Sequence, residues 1–281
     1  MSFRNSPFIP RKNPFQQKDL IIPSLYDKLV LMMKRLQKTL RLSFSLAKTD
    51  FKLKNEGSLL GMFWYLLEPI LLLSLLYIIF SQSLGGQIEN YPLYLLLGLI
   101  IFNFFSHATT EATGAIVNNA ELIKSSNFPR EALVISIVIK RLYSHLFEIL
   151  IFAGFLIFLG ADPIWLLFYP IILFFLILFV LGLSLLLSVI NIYFIDMANI
   201  WGFACQLLWF ATPIFYSDKF PLPFYSFNPL AYFISISRKI IIYHQIPAIK
   251  LVAIIIIGSL FSVLVGFYLF NLFKKDFAEN I

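Results

Sequence analysis

Six long apolar stretches constrain this chain more than any other feature. A bilayer core about 30 Å thick takes about 20 apolar residues as a helix, because every backbone polar group must then be satisfied within the segment. Stretches 59–81, 91–117, 142–159, 164–190, 198–216 and 249–270 of the 281 residues meet or approach that length. The connections between them are short and carry helix breakers, among them Gly85 with Gly86, and a tight turn at 160–163. The expected fold class is therefore all-α, a polytopic membrane protein with six transmembrane helices. Composition agrees. The chain is 59% apolar and 13% charged, against roughly 25% charged residues in a soluble domain, and its mean hydropathy is +0.84.

An even number of spans puts both ends on one side, and the charges say which. Twelve of the 22 Lys and Arg precede the first apolar stretch. With both termini cytoplasmic, the cytoplasmic segments hold 18 basic residues and the external ones 4, namely Lys219, Arg238, Lys239 and Lys250. The positive-inside rule favours this orientation, with both termini inside. The net charge of +7 reads as contact with anionic membrane lipids rather than nucleic acid. No cleavable signal peptide is expected, since the first apolar stretch comes late and is too long for one. The single cysteine, Cys205, permits no intrachain disulfide.

Two segments are neither span nor plain loop. Residues 1–24 read as an extension, 25–58 as an interfacial helix with its linker, and 59–281 as the transmembrane domain. Within 28–48, helical spacing puts Leu29, Met33, Leu36, Leu40, Phe44 and Ala47 inside an arc of about 80°. Lys28, Lys34, Arg35, Lys38, Arg41 and Lys48 fall opposite. That pattern predicts a helix lying in the membrane interface; packing against a partner protein is the other reading. The segment 217–245 is cut by Pro221, Pro223 and Pro229 into pieces too short to span, yet it stays apolar and aromatic. Short re-entrant helices buried against protein fit it.

Nucleotide and metal chemistry have no visible seat. No Gly-x-x-x-x-Gly-Lys-Ser/Thr phosphate loop, His-Glu-x-x-His or Cys-x-x-Cys occurs. Ionisable groups inside spans are functional candidates by default, which singles out Glu68, His107, Glu111, His145 and Glu148. His107 and Glu111 share a helix face at i,i+4, and His145 and Glu148 at i,i+3. These could form two local hydrogen-bonded pairs, a proton relay, or a metal site; no metal is expected. In the second span, 91–105 is bulky and apolar whereas 106–115 is small and polar. The polar half suits either close helix packing or the lining of a polar path.

Trp64, Tyr65, Tyr77, Phe80, Trp209, Phe210, Phe215 and Tyr216 lie along the first and fifth spans. They suit stacking on sugar rings or an interface belt. The loop after the second span holds Asn119, Glu121, Leu122, Lys124 and Phe128, a short helical pattern followed by a Pro stop. It could dock in a groove of a cytoplasmic partner or simply connect.

Taken in order, several of these sequences resemble the membrane subunits of ABC exporters that move polysaccharide, the O-antigen, capsule and teichoic-acid export permeases. The resemblance is carried by 48–54 and 59–69 ending in Trp64-Tyr65-Leu66-Leu67-Glu68-Pro69, and by 118–124 with Phe128-Pro129-Arg130-Glu131. It continues through 191–196, Thr212-Pro213-Ile214-Phe215-Tyr216, Asn228-Pro229 and the tail Lys275-Asp276-Phe277-Ala278-Glu279. It covers the chain from about Lys28 onward. Ile195 stands where the family usually has Arg, and Glu68 where Asn is common.

The resemblance implies a homodimer joined to two cytoplasmic ABC ATPase subunits, which would bind the ATP and magnesium, so this chain itself needs no cofactor and is no enzyme. It implies that the loop around Glu121 transmits the ATPase's movement. It also implies a channel lined partly by aromatic residues, with 217–245, including Phe224, Tyr225, Asn228 and Pro229, as an outer gate. The expected substrate is a lipid-linked glycan. Three alternatives remain at this point: a proton-coupled secondary transporter using Glu111 and Glu148, a drug-efflux permease of the same family, and a membrane glycan or lipid transferase.

Overall fold

The computed structural model describes residues 25–56, 63–82, 88–126, 128–217 and 228–281. The 1–24 extension, the Gly85-Gly86 turn, Phe224 and Tyr225 lie outside the described residues, as do the side chains of Lys28 and Tyr65. All regular structure among the described residues is helical: α1 (Leu25–Asn55), α2 (Trp64–Phe80), α3 (Tyr91–Thr113), α4 (Ala120–Ser125), α5 (Glu131–Phe158), α6 (Tyr169–Tyr193), α7 (Met197–Ala211), α8 (Pro229–Ile241), α9 (Ile249–Phe273) and α10 (Phe277–Asn280).

Among the described residues, four helices are long and apolar enough to cross a membrane: α3, α5, α6 with the 3-10 turn that precedes it, and α9. Helices α2 and α7 occupy the positions of the first and fifth apolar stretches. They are shorter, at 17 and 15 residues, or about 26 and 22 Å at 1.5 Å per residue. The chain is thus an all-α polytopic membrane protein.

The third helix begins eleven residues before the expected 142. Helix α5 starts at Glu131 and its first ten residues are all buried. Lys140 and Arg141, read above as loop charges, therefore sit within a helix. The sequence pattern misled here because a Lys-Arg pair lowers local hydropathy; in the fold both side chains pair with Glu111 on α3. Chain reversal after α5 uses Gly160, whose φ of +70° is costly for any side-chain-bearing residue.

Helix α3 is the hub. Nearly every residue from Tyr91 to Phe105 is buried, against α2, α5, α6, α7 and α8. Its small half divides by face. Ala108, Thr109, Ala112 and Thr113 are buried in helix packing, while Ser106, His107, Thr110 and Glu111 stay partly open. Packing and polar lining thus coexist on one helix. Helices α6 and α9 form the most extensive pair. They touch at Gly182 and Gly266, where a Cβ on Gly182 would run into the backbone of Ser262 and Val263. Small residues at such a crossing let two helix backbones approach closely.

Two units divide helix α1 at Lys38. In the first, Met32, Met33 and Leu36 are exposed, as are Lys34, Arg35 and Lys38. In the second, Thr39, Ser43 and Ala47 form a buried face. The Ser43 hydroxyl donates to the Ala132 carbonyl of α5 at 3.2 Å, and Phe51 packs edge-on to Tyr143. Leu40 and Phe44 stay exposed on a second face, and Arg41 and Lys48 on a third. Ala47, grouped above with the apolar interfacial stripe, belongs to the helix-packing face instead. A change of packing partner along one helix is not encoded in its hydrophobic period.

Candidate functional site

A concave opening with polar and aromatic side chains lies between α3 and α7. It encloses about 400 Å³ and is lined by Asn103, Ser106, His107 and Thr110 of α3 and by Gln206 and Trp209 of α7, with Phe102, Gly202, Cys205 and Phe210 completing it. The α3 groups lie on one face because 103, 106, 107 and 110 recur at helical spacing. Helix α7 is tied to α3 and to α6 by one bond each. The Trp201 indole N–H donates to the Thr109 hydroxyl at 2.9 Å, and Asn191 Oδ1 accepts from the Ala198 N–H at 3.1 Å. The Trp209 ring meets Phe102 edge-on at 5.2 Å. Amide, hydroxyl and imidazole groups beside an indole face can hydrogen-bond and stack at once, as a polyhydroxylated ligand requires.

Of the eight aromatic residues singled out from sequence, Trp209 and Phe210 line this opening. Phe80, Phe215 and Tyr216 form a separate cluster, with Phe80 stacked on Phe215 at 4.9 Å and Phe215 edge-on to Tyr216 at 5.2 Å. Tyr77 lies 6.3 Å from Tyr91 beside that cluster. Trp64 is exposed at the opposite end of α2.

Beyond α7 the chain leaves helical geometry at Thr212-Pro213 and runs irregularly to Ser217. Irregular backbone deep in a membrane protein needs partners for its carbonyls, and α3 and α8 supply them. The Tyr91 hydroxyl donates to the Phe215 carbonyl and the Tyr94 hydroxyl to that of Tyr216, each at 2.8 Å. Arg238 of α8 donates to the carbonyls of Pro213 at 2.6 Å, Ile214 at 2.8 Å and Tyr94 at 2.9 Å. Arg238 is 1% exposed and is not the loop charge the sequence suggested. Gly98 makes room for it, since a Cβ there would stand 2.6 Å from its Nη2. Asn228 caps α8 by accepting from the Leu230 N–H at 3.0 Å and ties it to α7 by donating to the Thr212 hydroxyl at 2.7 Å. Pro229 is the first residue of that helix, where its missing N–H costs nothing.

The ionisable residues fall into two networks. Glu111 accepts from Lys140 and, at 2.7 Å, from the Arg141 Nε. Lys54, Glu68 and His107 lie within electrostatic range of the Arg141 charge or its neighbours. Partial desolvation lowers the Lys54 ammonium below the ordinary lysine range, and the like charge of Arg141 adds to that. The second network is buried: His145 Nε2 and the Tyr169 hydroxyl are 2.7 Å apart, and His145 Nδ1 and Glu148 Oε2 3.5 Å. Among the described residues, no cluster of His, Cys, Asp and Glu has the make-up of a metal site.

Helix α4 follows α3 through a 3-10 turn, Val117–Asn119. Asn119 donates from Nδ2 to the Ala115 carbonyl at 2.8 Å. Ile123 is buried, whereas Glu121, Leu122 and Lys124 are exposed and Phe128 is half-buried. The segment thus presents a chemically mixed surface, anchored by Ile123 with Val117 and Phe128 packed on the same apolar cluster.

Residues 41–242 match the ABC-2 type transporter model. The chain belongs to the ABC-2 type transporter family. The matched stretch contains α3, α7, α8 and the α4 segment, hence both the polar opening and the exposed short helix. Among curated proteins, the chain is 30% identical over 236 residues to an O-antigen export system permease protein RfbA of Klebsiella pneumoniae, covering 82% of this chain and 91% of that protein. A second protein of that name and organism is 29% identical over 236 residues, with the same coverages. One from Myxococcus xanthus is 24% identical over 253 residues, covering 85% of this chain and 95% of its own.

Sequence reasoning missed Asn103, Gln206, Tyr91, Tyr94 and Arg238. The signal for Arg238 was available. An arginine in the largely apolar run 229–242 demands partners when buried, and the broken stretch 212–217 supplies orphan carbonyls.

Proposed function

We propose that this chain is the membrane subunit of an ATP-driven exporter for a lipid-linked glycan of the O-antigen type, working as a homodimer in the cytoplasmic membrane with both termini inside. A separate cytoplasmic ATPase binds and hydrolyses the nucleotide. The observation that carries the reading is the opening between α3 and α7, which sets polar side chains beside the Trp209 indole. Beside it runs a stripe of exposed apolar residues on α7, Ile200, Phe203, Leu207 and Phe210, the last 66% exposed. A second copy covering that stripe converts an open-sided groove into a closed channel. The names of the curated relatives support the substrate class.

In this reading Asn103, Gln206 and Trp209 offer successive sugar units replaceable hydrogen bonds and a stacking face, weak enough to let the chain move on. The exposed face of α4 receives the ATPase. Helix α1 lies in the inner interface, with Leu40 and Phe44 in the acyl boundary and Arg41 and Lys48 at headgroup level. The irregular stretch 212–217 with α8 forms the outer closure. A proton relay through Glu111 and Glu148 has less support, because each carboxylate is held in its own network.

The test is export of a lipid-linked glycan by proteoliposomes holding this chain and the ATPase. Export requires both proteins and ATP. Export driven by a pH gradient without the ATPase contradicts the proposal.

A further inference from the structure

The turn after α9 is bound to the α4 segment more closely than a free tail would be. Phe277 is fully buried. Its ring meets Phe270 of α9 edge-on at 5.2 Å, and the Arg130 guanidinium stands 5.8 Å from its centroid. Arg130, just before α5, also donates to the Lys274 carbonyl. Lys124 of α4 donates to the Ile281 carbonyl at 2.5 Å. Phe277 and Phe270 share one apolar cluster with Ile123 of α4, Val134 of α5 and Leu185 and Val189 of α6. Phe277 thus shares one apolar cluster with residues of four helices, α4, α5, α6 and α9.

We infer that α10 is a strut that ties helix α4 to the α6–α9 pair, with Phe277 as its positioning residue. This rests on the reading of α4 as the ATPase-receiving element. Apart from the strut, α4 is joined to the helices by covalent continuity with α3 and α5 and by apolar packing of Ile123 and its flanking Val117 and Phe128. With it, displacement of α4 is delivered also to α6 and α9, which move together because Gly182 and Gly266 bring their backbones into contact. Apolar contacts around a buried ring transmit such a displacement because packed interiors are scarcely compressible. Arg130 adds direction: one guanidinium holds both the α9 C-terminal carbonyl and the face of the Phe277 ring.

The experiment compares the reconstituted wild-type complex with Phe277→Ala and Phe277→Leu by amide hydrogen exchange and by ATP hydrolysed per glycan exported. In Phe277→Ala, exchange at 120–125 rises about tenfold while 91–105 stays protected, as for local release, and more ATP is spent per glycan. Phe277→Leu restores both. Unchanged exchange at 120–125, or an equal rise at 91–105, overturns the inference. If Phe277→Ala yields no monodisperse protein, Arg130→Met, which keeps the stem, is read by the same criteria. Should the wild-type complex fail to export with ATP, the exporter proposal falls, and the exchange data still decide whether the strut exists.

Discussion

Arg238 places its guanidinium over the ring of Tyr94, 3.3 Å from the centroid, and donates to the carbonyl of the same residue at 2.9 Å. One residue of α3 thus provides both a π face and an acceptor to a cation of α8. The same cation satisfies the two carbonyls freed where α7 breaks.

Replacing Arg238 should therefore be severe. Arg238→Leu leaves buried carbonyls of Pro213 and Ile214 unpaired, and hydrogen bonds to a charged group are worth about 1.5–3 kcal/mol each. Thermal unfolding in nanodiscs should occur at markedly lower temperature, with Arg238→Lys recovering only part because its ammonium lacks the planar fork. Gly98→Val should mimic the loss by displacing the guanidinium. An unaltered Arg238→Leu melting curve would contradict this role.

Glu111 is the shared counter-charge of Lys140 and Arg141. Glu111→Gln strands two cations in a partly buried site and should destabilise by about 1–3 kcal/mol, after allowance for residual solvent screening. Lys140→Met should be milder, since Arg141 still satisfies the carboxylate. A double-mutant cycle between positions 111 and 141 should give a coupling of about 1 kcal/mol; simple additivity would refute the pairing.

At the α6–α9 crossing the neighbour of each glycine is backbone, which cannot rotate away. Gly182→Leu and Gly266→Leu should each force the helices apart, an overpacking cost of about 1–3 kcal/mol or more. Gly154→Leu serves as the control, because nothing lies within 4 Å of a Cβ there. Yield of monodisperse protein by size-exclusion chromatography should fall for the first two alone.

Trp209→Ala should lower ATP-driven glycan export by about fivefold, the loss of a ring contact worth about 1 kcal/mol, while Trp209→Phe retains most of it. Equal activity of all three proteins would remove Trp209 from the path.

The spans were legible because transmembrane length and apolarity are local properties. Their edges were not, wherever a charge was neutralised by another helix. Lys140 and Arg141 read as a loop until Glu111 was placed beside them, and Arg238 read as an external charge until the 212–217 carbonyls were. The short helix at 120–125 was visible from its Pro stop, and Asn228-Pro229 from its motif. The opening was half visible: Ser106, His107 and Thr110 stood out as polar residues in a span, whereas Asn103 and Gln206 were each single polar residues among apolar ones. Only the juxtaposition of α3 with α7 joins them. The burial of Phe277 likewise depends on α4, α5 and α6, which are distant from it in sequence.

The central claim, that the exported glycan passes between α3 and α7, is tested most directly by photo-crosslinking during ATP turnover. A photoreactive residue is placed at 206 or 103 in the opening, and at Ile171 or Leu264, which are exposed on α6 and α9. The account predicts labelling of the glycan from 206 and 103, dependent on ATP and the ATPase, and none from 171 or 264. Active export with no label from 206 and 103, or with equal label from all four positions, would contradict it.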